Sequence, residues 1–133
     1  MKTLVLDSYA LLAYFERETG WEKIAELLQQ ASEDKCRLLL SVVNWGEIYY
    51  ITLREYNEEY AEEVRHALEN MPVEIMDVTQ KMALHAARHK AAGGLSYADC
   101  FVVGLAETIK GAEVITGDKE FKQVEKTVKI HWM

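Results

Sequence analysis

The chain is poor in the residues that mark disorder, export or covalent stapling. Of its 133 residues, one is proline and seven are glycine, too few for linkers or low-complexity tracts. The two cysteines, Cys36 and Cys100, form neither a CxxC pair nor a disulfide framework, so a reduced, cytoplasmic setting is expected. No apolar run approaches the roughly 18 residues of a membrane span. The apolar start, Met1 to Asp7, is too short for a secretion signal, and no membrane association is expected. Positive charge is scarce as well: 15 Lys and Arg stand against 22 Asp and Glu, a formal net charge of −7. A surface that coats nucleic acid is usually basic, so a simple coating module is disfavoured. An acidic pocket that holds divalent cations is a different case, because the bound ions reverse the local charge.

What remains is ordinary globular material. Half the residues are hydrophobic and 28% are charged, and the length suits one domain, residues 1–133, with a core of its own. Short apolar runs alternate with longer amphipathic ones. Strands are predicted at Thr3–Leu6, Arg37–Leu40, Val73–Met76, Glu113–Thr116 and Val128–His131. Helices are predicted at Ser8–Phe15, Trp21–Ala31, Val42–Glu55, Glu58–Asn70, Thr79–Ala92 and Tyr97–Ile109. Pro72 stops the fourth helix, and Gly93-Gly94 separates the last two. Near-continuous apolar strands are those covered on both faces. Strands alternating with helices give an α/β sandwich with a mostly parallel sheet. Ligands in such folds collect beyond the carboxyl ends of the strands, so polar residues that end strands or open the following helices are the ones to inspect.

Four carboxylates pass that filter. Asp7 ends the first strand, and Asp118 follows the fourth within Thr116-Gly117-Asp118. Asp99 sits in the first turn of the sixth helix, on the stripe of Val102, Val103 and Ala106. Glu47 lies in the helix after the second strand, where Val43, Glu47, Tyr50 and Ile51 share one side. That side is expected to be apolar and inward, where a carboxylate needs a partner. Each acid also has a structural explanation. Asp7 or Ser8 could cap the first helix, Ser96 to Asp99 fits a capping box, and Asp118 could be a turn aspartate beside Gly117. Taken together, convergent carboxylates must be protonated or neutralised by a cation. Hard oxygen donors without thiolate or imidazole suit Mg²⁺ or Mn²⁺.

These residues resemble a known family. Asp7-Ser8 after a short apolar strand looks like the opening of a PIN domain. Ser41-Val42-Val43-Asn44-Trp45-Gly46-Glu47 is similar to that family's second acidic motif. Leu95 to Cys100 resembles the third, and Thr116-Gly117-Asp118-Lys119-Glu120-Phe121 the fourth. No single motif is specific, but the ordered set of four is, and it spans the chain. Within the family the likeness is to VapC-type toxins of prokaryotic toxin–antitoxin pairs. The resemblance implies a three-layer α/β/α sandwich and metal-dependent endoribonuclease activity on RNA. It also implies a homodimer and an antitoxin partner. On this reading Asp7, Glu47, Asp99 and Asp118 are the catalytic, metal-holding set. Ser8, Asn44 and Thr116 would orient them, and Lys119 and Lys122 could touch RNA phosphates. The acid surplus is a mild departure from the pattern.

Other features compete. His85 and His89 stand i, i+4 on one helix but lack the glutamate of an HExxH motif, and Arg88 lies beside them; exposed helix histidines are expected. Cys100 on an apolar helix reads as an inert thiol. Tyr14, Phe15, Tyr49 and Tyr50 are expected in the core or at a dimer contact. Two other functions are compatible with acids at strand ends: a non-catalytic binding module, and a phosphoacceptor domain built on Asp77. The intact acidic quartet counts against the first, and the single acid after the first strand against the second. A stand-alone RNA-processing enzyme remains the alternative to a toxin.

Overall fold

A computed structural model describes all residues, 1–133. Five strands, β1 (Lys2–Leu6), β2 (Cys36–Ser41), β3 (Glu74–Met76), β4 (Ala112–Thr116) and β5 (Ile130–Trp132), form one sheet in the order β3-β2-β1-β4-β5. Every pairing is parallel. The helices are α1 (Ser8–Glu16), α2 (Trp21–Ser32), α3 (Val42–Glu55), α4 (Glu58–Glu69), α5 (Gln80–Ala92) and α6 (Tyr97–Thr108), and a 3-10 helix covers Lys119–Val124.

The strands split their side chains between two cores, as a period of two requires. Leu4, Leu6, Leu38 and Leu40 face one way, against Leu11 of α1, Ile24 of α2, Ile48 of α3 and Val64 of α4. Val5, Leu39 and Val114 face the other way, against Met82 of α5, Val102 and Val103 of α6, and Phe121 of the 3-10 helix. Burial on both faces explains why the central strands lack polar alternation. The result is the expected three-layer sandwich. Cys36 and Cys100 are free and buried. No helix is long and apolar enough to cross a membrane.

The differences from expectation are local. The last strand begins at Ile130 rather than Val128, and the segment after β4 winds into a 3-10 helix. Thr79 caps α5 through its side chain, which accepts from the Met82 N–H. The face of α3 is rotated. Asn44, Ile48 and Thr52 are its buried residues, whereas Tyr50 is 50% exposed and Val43, Glu47 and Ile51 are half-buried. Two polar residues can occupy that inner face because their donors are used. The Thr52 hydroxyl donates to the Ile48 carbonyl at 2.9 Å, and the Asn44 amide donates to the Ala98 carbonyl at 3.1 Å. Apolarity alone therefore misplaced the stripe.

Gly104 sets the distance between α5 and α6. A methyl group there would lie 3.0 Å from the Met82 carbonyl oxygen and 3.3 Å from the Ala86 nitrogen. Both are backbone atoms of α5, so the two helices can pack this closely only without a side chain at that position.

Candidate functional site

With every strand parallel, all five carboxyl ends point to one edge of the sheet. The order reverses there between β1 and β4: the chain winds from β1 outward to β2 and β3, then returns to β4 on the other side of β1. Such a switch point leaves a crevice. Asp7 enters it from the end of β1. It is 1% exposed and caps α1, its Oδ1 accepting the Ala10 N–H at 2.8 Å. Its Oδ2 accepts the Thr116 hydroxyl from the end of β4. The same Thr116 oxygen accepts the Asp118 N–H at 2.9 Å, so one hydroxyl fixes the orientation of two acids. Asp118 in turn caps the 3-10 helix, accepting the Glu120 N–H at 3.0 Å.

The other side of the crevice is built by α3 and α6. Ser41 caps α3, and Glu47 lies one and a half turns along it. The Ser8 hydroxyl donates to Glu47 Oε1 at 2.5 Å, tying α3 to the start of α1. Ser96 caps α6 by accepting the Asp99 N–H at 3.1 Å, and Asp99 is 9% exposed. The Asn44–Ala98 hydrogen bond holds that end of α6 against α3. The oxygen of the Asn44 amide is buried without a partner.

The acids feel one another. Burial pushes the Asp7 carboxyl up from 3.8 to about 7; the hydrogen bonds from Thr116 and Ala10 oppose the shift, and the charges of Asp99 and Asp118 add to it. Burial raises Asp99 from 3.8 to about 6, reinforced by the charges of Glu47, Asp118 and Glu120 and opposed by Ser96. Carboxyl oxygens of Asp99, Asp118 and Glu120 all lie within 4.8 Å of one another. Such a cluster is unfavourable as bare anions and favourable around a cation. The donors are hard oxygens, several converge, and a buried amide oxygen nearby is unpaired. The residues therefore fit Mg²⁺ or Mn²⁺, both oxygen-seeking cations.

The structure thus brings Asp7, Asp99 and Asp118 together and sets Glu47 close enough to Asp99 to raise its carboxyl. The capping roles of Asp7 and Asp118 are present as well; capping engages Oδ1 of each carboxylate, and Asp7 Oδ2 accepts the Thr116 hydroxyl besides. Ser8 and Thr116 touch acids directly, and Asn44 acts on the backbone beside one. Lys119 and Lys122 are exposed on the 3-10 helix beside Asp118 and form no ion pair. Glu120 was not among the sequence candidates. Its signal was its place two residues after Asp118, but only the 3-10 turn brings it back to the cluster.

Comparisons with known proteins agree with this architecture. VapBC2 from Rickettsia felis, solved bound to a DNA fragment from its promoter, matches with TM-score 0.76 at 15% identity, covering 98% of each chain. DNA-bound VapBC from Salmonella typhimurium matches with TM-score 0.75 at 18% identity, covering 99% of this chain and 98% of that one. VapC20 from Mycobacterium tuberculosis, described as a toxin cleaving the sarcin-ricin loop, matches with TM-score 0.70 at 14% identity, covering 91% and 94%. No curated protein matches the sequence. At these identities the likeness establishes the fold. The family model described as PIN domain matches residues 4–127, nearly the whole chain, and the chain belongs to the PIN-domain family.

Proposed function

We propose that this protein is a divalent-metal-dependent endoribonuclease, hydrolysing RNA phosphodiester bonds, and the toxin half of a toxin–antitoxin pair. The observation that carries the reading is the acid cluster at the switch point, with Asp99, Asp118 and Glu120 within 4.8 Å and Asp7 buried behind them. Asp7, Glu47, Asp99 and Asp118, with Glu120 beside them, would hold Mg²⁺ or Mn²⁺ directly or through water. The bound cation supplies Lewis-acid stabilisation of the phosphoryl charge and activation of water for attack.

The chain's own residues prepare that site. Thr116 and Ser8 fix carboxylate orientation before any ligand arrives, which limits reorganisation during reaction. Asp7, pushed up to about 7, shares its carboxyl with a proton at neutral pH until a cation displaces it, whereas Asp99, at about 6, is mostly ionised there. Lys119 and Lys122, unpaired at the rim, can meet phosphates of the RNA strand. That local positive charge offsets the acid surplus of the whole chain where the substrate approaches.

The VapBC-type structures, two of them solved bound to DNA, support an antitoxin partner for this chain; a homodimer and a cytoplasmic setting belong to the same reading. VapC20, whose description states cleavage of the sarcin-ricin loop, supports RNA as the substrate class. The test is cleavage of structured and single-stranded RNA with Mn²⁺ or Mg²⁺, alongside EDTA and the Asp99→Asn variant. Cleavage lost under both treatments is expected. Cleavage surviving both would overturn the proposal.

A further inference from the structure

Beside the acid crevice stands an aromatic side chain that the core does not use. Tyr9 lies in the first turn of α1, two residues after Asp7 and next to Ser8, and it is 42% exposed. Ala10, Leu11 and Ala13 supply the buried face of that helix instead. The ring is nonetheless fixed along one edge, which fills the space a β-carbon at position 117 would need. Cε1 lies 2.5 Å and Cδ1 3.2 Å from where such an atom would be, and the Met133 sulfur closes the same space at 3.3 Å. A side chain at position 117 would therefore displace the ring. Thr116 and Asp118 flank that glycine; the first orients Asp7 and the second belongs to the acid cluster. The ring thus rests where the start of α1 meets the turn after β4, against the backbone that joins two parts of the site.

Charge explains why such a ring matters here. Lys and Arg contacts to phosphate supply most of the affinity of ordinary nucleic-acid binders. This chain has a formal net charge of −7, so a polyanion needs a hold that charge does not provide. Stacking of a base on an aromatic face is such a hold; it is uncharged, tolerant of sequence and worth about tenfold or more in affinity per base. We infer that Tyr9 is a stacking platform for an unpaired base of single-stranded RNA, next to the phosphate that the crevice takes. The inference rests on the ribonuclease reading of that crevice, and it narrows the substrate to strands whose bases are unstacked near the cut. A ring already held along one edge loses little freedom when a base covers it. Bases within a duplex are stacked on their neighbours, so paired RNA cannot use the platform.

The experiment compares the full chain with Tyr9→Phe, which keeps the aromatic face, and Tyr9→Leu, which keeps an apolar side chain against Gly117 without one. Binding of a fluorescein-labelled single-stranded RNA is followed by anisotropy in Mg²⁺, in the Asp99→Asn background so that the strand stays intact. KM and kcat are measured in the active chain. Tyr9→Leu should weaken binding and raise KM about tenfold, with a smaller change in kcat. Its dependence on salt should match the wild type, as an uncharged contact requires. Tyr9→Phe should restore both affinity and KM. The same RNA annealed to its complement should not distinguish the three chains. Equal affinity in Tyr9→Leu and the wild type would overturn the platform. So would a Tyr9→Phe variant as weak as Tyr9→Leu, which would place the effect in the hydroxyl. Cleavage with Tyr9→Leu unimpaired would remove the platform and leave the nuclease reading standing; RNA bound through Tyr9 but never cut would do the reverse.

Discussion

Thr116 donates its hydroxyl hydrogen to Asp7 across the junction of β4 and β1, joining residues 109 positions apart in the chain. The same oxygen receives the Asp118 N–H. Replacing Thr116 with valine keeps the shape and removes both bonds. Asp7 then loses the contact that holds its carboxyl down, and its protonated form gains further. Metal affinity should fall about 10–100-fold, as for other residues that orient a ligand, with the fold retained. Calorimetry with Mn²⁺ and circular dichroism check both halves of the expectation.

The raised carboxyls make the metal-free protein less stable as pH rises. Asp7 titrates near 3.8 when unfolded and about 7 when folded, and Asp99 about 6 when folded. Between these values the folded state binds more protons than the unfolded one, so stability falls with pH from about 4 and levels off above about 7. For fully buried Asp7 the loss is on the order of 4 kcal/mol. Thermal unfolding in EDTA from pH 5 to pH 8 should show the decline. Mg²⁺ should restore most stability at the alkaline end, where ionised carboxylates are available to it. A flat profile in EDTA would contradict the burial of Asp7.

Asp7→Asn removes that buried charge while keeping an oxygen for the Ala10 N–H. It should therefore stabilise the metal-free protein, flatten its pH profile and abolish RNA cleavage. Stability gained together with activity lost is the behaviour of a site under electrostatic strain. Unfolding midpoints and a cleavage assay on the same preparation decide it.

Glu120→Gln distinguishes a ligand from a bystander. Its oxygen lies in the cluster with Asp99 and Asp118, yet the residue is exposed. Mn²⁺ affinity should fall about tenfold, less than for Asp99→Asn, whose carboxylate is buried at the centre. Affinity unchanged in Glu120→Gln would remove it from the site.

Gly104→Ala tests the packing of α5 on α6. The added methyl meets backbone rather than flexible side chain, so the helices must separate at a cost of about 1–3 kcal/mol. Denaturant unfolding measures the loss directly.

Much of this was legible in the sequence, for identifiable reasons. Apolar strands such as Leu38 to Leu40 announce burial on two faces, and an acid that ends a strand has few places to point in a parallel sheet. Asp7 and Asp118 were singled out that way, and Asp99 by its place on the apolar stripe of α6. The face of α3 was not, because Asn44 and Thr52 are buried with their donors used by backbone carbonyls, and no periodicity of apolar residues records such bonds. Glu120 escaped for a related reason: it is delivered by a 3-10 turn and depends on tertiary placement.

The sheet finishes at both margins in strands of only three residues, β3 and β5. So little unpaired backbone offers a poor template for an incoming strand, and edge-to-edge growth into aggregates is discouraged from the outset. Any protein that docks on this molecule must therefore find its hold among helix side chains, and its selectivity will be written in their shape and charge rather than in main-chain hydrogen bonding.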